Sequence, residues 1–162
     1  TEDGYILTLY RIYGKINETE EEKKNKYKRS VLLLHGLLDS SFTYFAMNEQ
    51  QSLPFILANN GFDVWLGNNR GTLFSHEHKD KNSNDMGSDY WDFTFNELAK
   101  YDVTSMIDYV KKISQREKIS YVCHSQGCFQ FLLGYTMNPE FFENSIDKYG
   151  TMGNVLKISQ MV

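Results

Sequence analysis

The feature that most constrains this sequence is an apolar strand followed at once by a serine turn and an apolar helix. The run from Ile119 to Cys123 predicts a buried strand, Ser125 stands in the turn, and Gln126 to Met137 predicts a helix. A nucleophile elbow needs this order, because the sharp turn lifts the serine hydroxyl clear of the sheet. The helix N-terminus then offers a backbone N–H to a developing oxyanion. We therefore predict that Ser125 is a nucleophile held in a strained backbone conformation.

Small residues two positions before and after the serine let strand and helix pass closely in such a turn. Gly127 meets this need, whereas Cys123 stands where the usual G-x-S-x-G pattern has glycine. Cys123 and Cys128 are the two cysteines of the chain, and a bridge between them would strain the turn. We expect both to be small, buried, unbridged residues. Taken by itself, the motif is also compatible with a chance serine in a strand-to-helix turn.

Strands and helices alternate along the rest of the chain. Tyr5 to Ile12 alternates apolar and polar side chains as an edge strand does, and Val31 to Leu34 and Phe62 to Leu66 predict further strands. Ser52 is predicted to cap a helix that Gly61 ends in a left-handed conformation. The alternation predicts an α/β fold, with a mostly parallel sheet and helices on both faces.

A second predicted helix shows an apolar stripe with helical spacing. Its positions i, i+3, i+4 and i+7 form one face, and the helix is predicted to run to about Lys112; they are Val103, Met106, Ile107 and Val110. The stretch from Ser75 to Ser88 is polar and predicts an exposed excursion.

The segment after the strand Val31 to Leu34 is the second part of the chain that can contribute to a serine-based site. In folds with a nucleophile elbow, the loop after the third strand supplies the other oxyanion donor. We predict that the N–H of Leu37 pairs with that of Gln126. His35 is expected to brace this loop, and His124 to point away from the site. His76 and His78 are expected to face solvent.

Composition excludes several other classes of protein. The net charge of −4 gives no electrostatic footprint for a nucleic-acid partner. Neither a transmembrane-length apolar run nor a signal peptide is visible. The hydrophobic share of 41% is that of a globular chain rather than a disordered one.

Five blocks of sequence resemble the acid lipases, the family of gastric and lysosomal acid lipase. The resemblance extends from Thr1 to about Pro139, in the family's order and spacing. The blocks are Thr1 to Leu7, His35 to Ser41, Gly61 to Gly71, Tyr90 to Asp102 and His124 to Gly127.

The resemblance implies an α/β-hydrolase that cleaves lipid carboxylic esters, such as acylglycerols or sterol esters, without a metal or an organic cofactor. Ser125 is then the nucleophile, and Leu37 and Gln126 supply the oxyanion-hole N–H groups. Family members are typically secreted or lysosomal. The turn from Asn68 to Gly71 is expected to be scaffolding near the site.

The resemblance also implies that part of the machinery lies elsewhere. The acid and the histidine of the family's triad lie beyond a cap, and no histidine follows Ser125 here. We therefore expect residues 1–162 to be the N-terminal part of a single hydrolase domain, about half of the family's mature length, without its cap and C-terminal half. The fold should be truncated after the elbow strand and its helix, and this chain alone should be inactive.

A second hypothesis treats the chain as a non-catalytic half-hydrolase that serves as a structural subunit. A parallel sheet cut after the elbow strand would leave an open apolar edge, which a missing C-terminal segment or protein subunits would have to cover. Cys123 in place of glycine is compatible with this alternative.

Overall fold

The computed structural model describes residues 1–14, 19, 21 and 29–155. Its strands are β1 (Tyr5–Ile6), β2 (Leu9–Ile12), β3 (Ser30–Leu34), β4 (Asp63–Gly67), β5 (Glu77–His78), β6 (Ile119–His124) and β7 (Ile146–Met152). Its α-helices are α1 (Leu53–Asn59), α2 (Phe95–Glu97), α3 (Thr104–Ser114), α4 (Gln126–Met137) and α5 (Pro139–Ser145). Short 3₁₀ helices span Ser41–Phe45 and Asp89–Trp91, and a π-helical segment spans Leu98–Val103.

The main sheet has five strands in the order β2-β4-β3-β6-β7. The pairs β4–β3, β3–β6 and β6–β7 are parallel, and β2 joins the edge antiparallel to β4. Leu34 pairs with both Gly67 and Cys123, so the central strands end at one edge of the sheet. The predicted mostly parallel sheet is confirmed, and its carboxyl edge is where an α/β sheet places a site.

Helices cover both faces of the sheet because alternate residues of each strand point to opposite sides. On β3, Val31 and Leu33 pack into a core cluster with Ala58 of α1. Leu32 and Leu34 belong to a second cluster, shared with α3, α4 and α5. The continuous apolar run of β3 is thus explained by burial on both sides.

The predicted stripe on α3 is confirmed, since all four of its residues are at most 1% exposed. The helix α3 directly follows the π-helical segment Leu98–Val103, which the spacing of the apolar residues does not predict. In α1, Ser52 stands at the N-cap, but its hydroxyl donates to the carbonyl oxygens of Met47 and Asn48 instead of capping the helix. Gly61 has a φ of +84°, as the predicted helix end requires.

The single strand predicted from Tyr5 to Ile12 is wrong, because the chain leaves the sheet near Thr8. The N–H of Thr8 donates to the hydroxyl of Ser75, and its carbonyl oxygen accepts from the side chain of Asn68. These side chains take the place of a neighbouring strand. β1 consequently pairs with β5 in a separate two-stranded sheet, while β2 joins the main sheet.

The expectation that the fold is truncated after the elbow strand and its helix is also wrong. Pro139 begins another helix, α5, and β7 then pairs in parallel with β6 over Ile119 to His124. Five of the seven residues of β7 are exposed, so its position follows from backbone pairing rather than from an apolar pattern. The expected open edge at β6 is therefore covered by the chain itself.

Candidate active site

Ser125 lies in the turn between β6 and α4 with a φ of 48° and a ψ of −111°. A residue with a side chain held at positive φ costs about 1 to 3 kcal/mol and persists only where its surroundings impose it. Its N–H donates to the carbonyl oxygen of Met152 in β7 at 3.0 Å. Its side chain makes no capping hydrogen bond to α4. The strained serine turn that the sequence predicts is present.

Gly127 allows the first turn of α4 to lie against the end of β3. A Cβ at this position would stand 2.7 Å from the carbonyl oxygen of Leu34 and 2.8 Å from that of His35. Because both neighbours are backbone atoms, they cannot move aside as a flexible side chain would. The need for a small residue two positions after the serine is therefore real in this chain.

Cys123 and Cys128 form a disulfide, and their Cα atoms lie 5.0 Å apart. Both residues are fully buried, as expected, but the expectation that they are unbridged is wrong. The sharp turn at Ser125 places the end of β6 beside the first turn of α4, and this brings the two Cα atoms into disulfide range. Sequence analysis could have found the pair from its spacing across the predicted turn.

Both predicted oxyanion donors belong to segments beside Ser125. Gln126 is the first residue of α4, so its N–H is among the groups that a helix N-terminus leaves without an intrahelical partner. On the opposite side, a Cβ on Gly36 would stand 3.3 Å from the Cβ of Ser125. Leu37 follows Gly36 directly. The fold thus brings the loop after β3 and the start of α4 to the same serine.

A cleft of about 820 Å³ opens over these segments. Leu37 and Gln126 line it together with aromatic and aliphatic side chains from the stretch before α3, among them Trp91, Phe93 and Leu98. Leu38 is almost fully exposed beside it at a φ of 57°. A largely apolar cleft with a few polar groups is the usual form of a site for an apolar small molecule.

His35 braces the loop, as predicted. The N–H of Asn69 donates to its Nε2 at 3.2 Å, so Nδ1 carries the proton and donates to the carbonyl oxygen of Gly36 at 2.8 Å. Burial lowers the pKa of His35, although the bond to Gly36 acts in the opposite direction. The imidazole is thus a neutral structural link between the ends of β3 and β4.

Arg70 confirms the scaffolding role expected for the turn from Asn68 to Gly71. Its guanidinium is fully buried and pairs with Asp102 at 2.7 Å and with Asp3 at 2.6 Å. The Asp102 carboxylate also accepts from the Arg70 N–H at 2.8 Å. The buried Arg70 guanidinium therefore links the turn after β4 to the π-helical segment and to the N-terminal residues.

The remaining histidines differ in their surroundings. A Cβ on Gly36 would stand 2.9 Å from Nδ1 of His124, so that ring lies over the loop after β3 rather than away from the site. His76 is exposed, as expected, but His78 packs edge-on against Tyr5 at 4.7 Å. Among the described residues, no hydrogen bond joins the Ser125 side chain to a histidine.

The described part of the chain holds neither a metal-binding cluster nor a membrane-spanning helix. Within residues 1–14, 19, 21 and 29–155, no group of three or more His, Cys, Asp or Glu side chains could hold a metal ion. None of the helices described is long and apolar enough to cross a bilayer.

The fold and the elbow define a hydrolase of the α/β type, and comparison with known families agrees. A family model described as alpha/beta hydrolase fold matches residues 29–143, and one described as a partial alpha/beta-hydrolase lipase region matches residues 1–48. The chain belongs to the alpha/beta hydrolase fold family.

Its similar proteins include lipases from several animals. It is 43% identical to gastric triacylglycerol lipase of Mus musculus over 86% of this chain and 34% of that protein. Identity to Lipase 1 of Drosophila melanogaster is 39%, over 87% of this chain and 29% of that protein. Lysosomal acid lipase/cholesteryl ester hydrolase of Homo sapiens is 36% identical over 98% of this chain and 38% of that protein. The resemblance to the acid lipases is confirmed.

The chain spans about a third of the length of these relatives. Solved structures support the fold alone. Potato epoxide hydrolase I matches with a TM-score of 0.60 at 17% identity, over 92% of this chain and 36% of that one. The mature lipase of Bacillus licheniformis matches with a TM-score of 0.52 at 14% identity, over 89% and 46%.

Proposed function

We propose that the full-length protein hydrolyses lipid carboxylic esters with Ser125 as its nucleophile. The observation that carries the proposal is the positive φ of Ser125 at the junction of β6 and α4, with the loop after β3 in contact on its other side. This arrangement presents a serine hydroxyl at the carboxyl edge of a parallel sheet. It also gathers two backbone segments that can donate to an oxyanion.

In the proposed reaction, the Ser125 oxygen attacks the ester carbonyl carbon while a histidine outside this chain accepts its proton. The carbonyl oxygen becomes an oxyanion, which accepts hydrogen bonds from the N–H groups of Gln126 and Leu37. The histidine then gives its proton to the departing alcohol, and an acyl-enzyme remains. Water, deprotonated by the same histidine, attacks the acyl-enzyme and releases the carboxylic acid. Without that histidine, Ser125 is a weak nucleophile at neutral pH.

The substrate class follows from the lining of the cleft and from the relatives. Trp91, Phe93 and Leu98 offer apolar contacts to an acyl chain, and they stand beside the proposed oxyanion donors. The relatives named above are a triacylglycerol lipase and a cholesteryl ester hydrolase. Acylglycerols and sterol esters are therefore the proposed substrates.

A secreted or lysosomal location is proposed for the protein. Gastric and lysosomal lipases are among its relatives. The disulfide between Cys123 and Cys128 also supports this location, since disulfides persist mainly in oxidising compartments.

The alternative of a non-catalytic structural subunit was motivated by an open edge of the sheet. β7 covers the edge at β6 and is then itself the terminal strand of the described sheet, with mostly exposed residues, so the edge alone does not separate the two hypotheses. The turn favours catalysis, because Gly127 and the strained Ser125 keep the geometry that a nucleophile needs. Ester hydrolysis is accordingly the function that the site supports best.

A fluorophosphonate probe tests the proposal on the full-length protein. We expect one covalent adduct, located by peptide mapping at Ser125, and no adduct in Ser125→Ala. The same preparation should release fatty acid from emulsions of a triacylglycerol or a cholesteryl ester, and Ser125→Ala should not. A folded full-length protein with neither adduct nor ester hydrolysis would refute the proposal and favour the structural subunit.

A further inference from the structure

The disulfide between Cys123 and Cys128 encloses the proposed nucleophile. The two cysteines are five positions apart, in β6 and in the first turn of α4, so Ser125 and Gln126 lie inside the covalent ring. The bond thus joins the two elements whose relative position determines where the serine hydroxyl and the oxyanion N–H point. Gly127 lies in the same ring and contacts the end of β3.

One end of the disulfide, Cys123, lies where the usual G-x-S-x-G pattern has a glycine without a side chain. Cys123 replaces the glycine found two positions before the nucleophile, so its Cβ adds atoms where strand and helix pass. Both cysteines are 0% exposed, so other atoms of the protein enclose their side chains. Two unbonded sulfur atoms would require a separation of roughly 3.5 to 4 Å, as non-bonded heavy atoms do. The covalent bond therefore allows a closer approach of β6 and α4 than two free thiols would.

Two tyrosine hydroxyls contact the same turn of the helix from the sheet. Tyr121 of β6 donates to the carbonyl oxygen of Gly127 at 3.0 Å, and Tyr149 of β7 donates to that of Cys128 at 3.3 Å. The hydroxyl of Tyr149 also lies 3.7 Å from the sulfur of Cys123. These hydrogen bonds attach the first turn of α4 to β6 and β7 beside the disulfide.

We propose that the Cys123–Cys128 disulfide is a positioning element of the active site, which holds Ser125 and the N–H of Gln126 in reactive geometry. This inference rests on the proposed ester hydrolysis. The cysteines touch no reacting atom; they act through the backbone of the turn. Loss of the bond should therefore reduce the rate of serine acylation more than it weakens substrate binding, because misplacing a reacting group by about 1 Å can cost on the order of 100-fold in rate.

The test compares full-length wild type with Cys123→Ala/Cys128→Ala, which removes both sulfurs and keeps both Cβ atoms. Val64→Ala, a truncation of a fully buried side chain in the other core cluster, serves as a control that lowers Tm. For each protein we would measure Tm, the rate constant of fluorophosphonate labelling, and kcat and KM for a soluble short-chain ester. Mass spectrometry of non-reduced peptides from wild type checks that the two cysteines are linked.

We expect the double variant to lose roughly 10- to 100-fold in kcat and in the labelling rate, with KM within about twofold. Val64→Ala should keep both rates near those of wild type. Equal rates in wild type and the double variant, or an equal loss in the control at similar Tm, would overturn the inference, as would unlinked cysteines in wild type. If the double variant does not fold, Cys128→Ala, which breaks the bond with a single change, is measured instead. A wild-type protein that is neither labelled nor active would refute the proposed function itself, which is a different outcome.

Discussion

The first turn of α4 rests directly on the end of β3, since a Cβ on Gly127 would stand 2.7 Å from the carbonyl oxygen of Leu34. This contact joins the two segments proposed to bind the oxyanion, one at the start of the helix and the other just after the strand. The two segments therefore have little room to move closer to each other. A substitution at Gly127 that widens this spacing should therefore disturb the proposed active site.

Gly127→Ala should disrupt the turn. The added methyl group would force α4 away from β3, and we expect a loss of about 1 to 3 kcal/mol in the free energy of unfolding, as for other overpacked sites. Fluorophosphonate labelling of Ser125 should fall at least tenfold. Gly87→Ala is the matched control, because its Cβ would meet only an Asp85 side-chain oxygen at 3.4 Å. An unchanged labelling rate in Gly127→Ala would contradict this prediction.

Replacing the nucleophile should separate stability from reactivity. Ser125→Gly removes the Cβ that is strained at a φ of 48°. We expect the free energy of unfolding to rise by about 1 kcal/mol relative to Ser125→Ala, which keeps that Cβ. Both variants should fail to react with the probe. Urea unfolding of the two variants measures the difference, and a less stable glycine variant would show that the strain is smaller than the entropy that glycine adds to the unfolded chain.

Breaking the buried ion pair of Arg70 and Asp102 should lower the free energy of unfolding far more than breaking a surface pair. Arg70→Met leaves the Asp102 carboxylate buried without its cation, and we expect a loss of about 3 to 5 kcal/mol in unfolding free energy. Lys81→Ala is the control, since its partner Asp89 lies 3.6 Å away and is 73% exposed. That change should cost less than about 1 kcal/mol. Chemical denaturation measures both losses of unfolding free energy. Similar losses in the two variants would contradict this prediction.

The neutral His35 should make stability depend on pH. Burial lowers its pKa below the usual 6.5, so the unfolded chain binds more protons than the folded protein at pH values just below 6.5. Its contribution is therefore present above pH 6.5 and lost as pH falls through the folded pKa. His35→Gln still accepts from the N–H of Asn69 but does not titrate there. Between pH 7.5 and 5, wild type should lose more unfolding free energy than His35→Gln, whereas the exposed control His76→Gln should follow wild type.

Local sequence patterns determined the elements that build the site. The apolar run of β3, the stripe on α3 and the order of strand, serine and helix around Ser125 each depend on residues close in sequence, and each was predicted. Gly127 was also identified, because the need for a small residue there arises within one turn. The acid-lipase resemblance followed from blocks of sequence in a characteristic order, and the comparisons confirm it.

The pairings that depend on distant segments were decided by the tertiary structure. Thr8 leaves its strand because Ser75 and Asn68 satisfy its backbone, which no local pattern indicates. β7 is a strand because β6 offers it an unpaired edge, although most of its own residues are exposed. The Cys123–Cys128 bond differs from these pairings, because it joins residues five positions apart across a turn that the sequence predicts. Local patterns determine elements through periodicity and turn chemistry, whereas backbone pairing between strands depends on which segments the fold brings together.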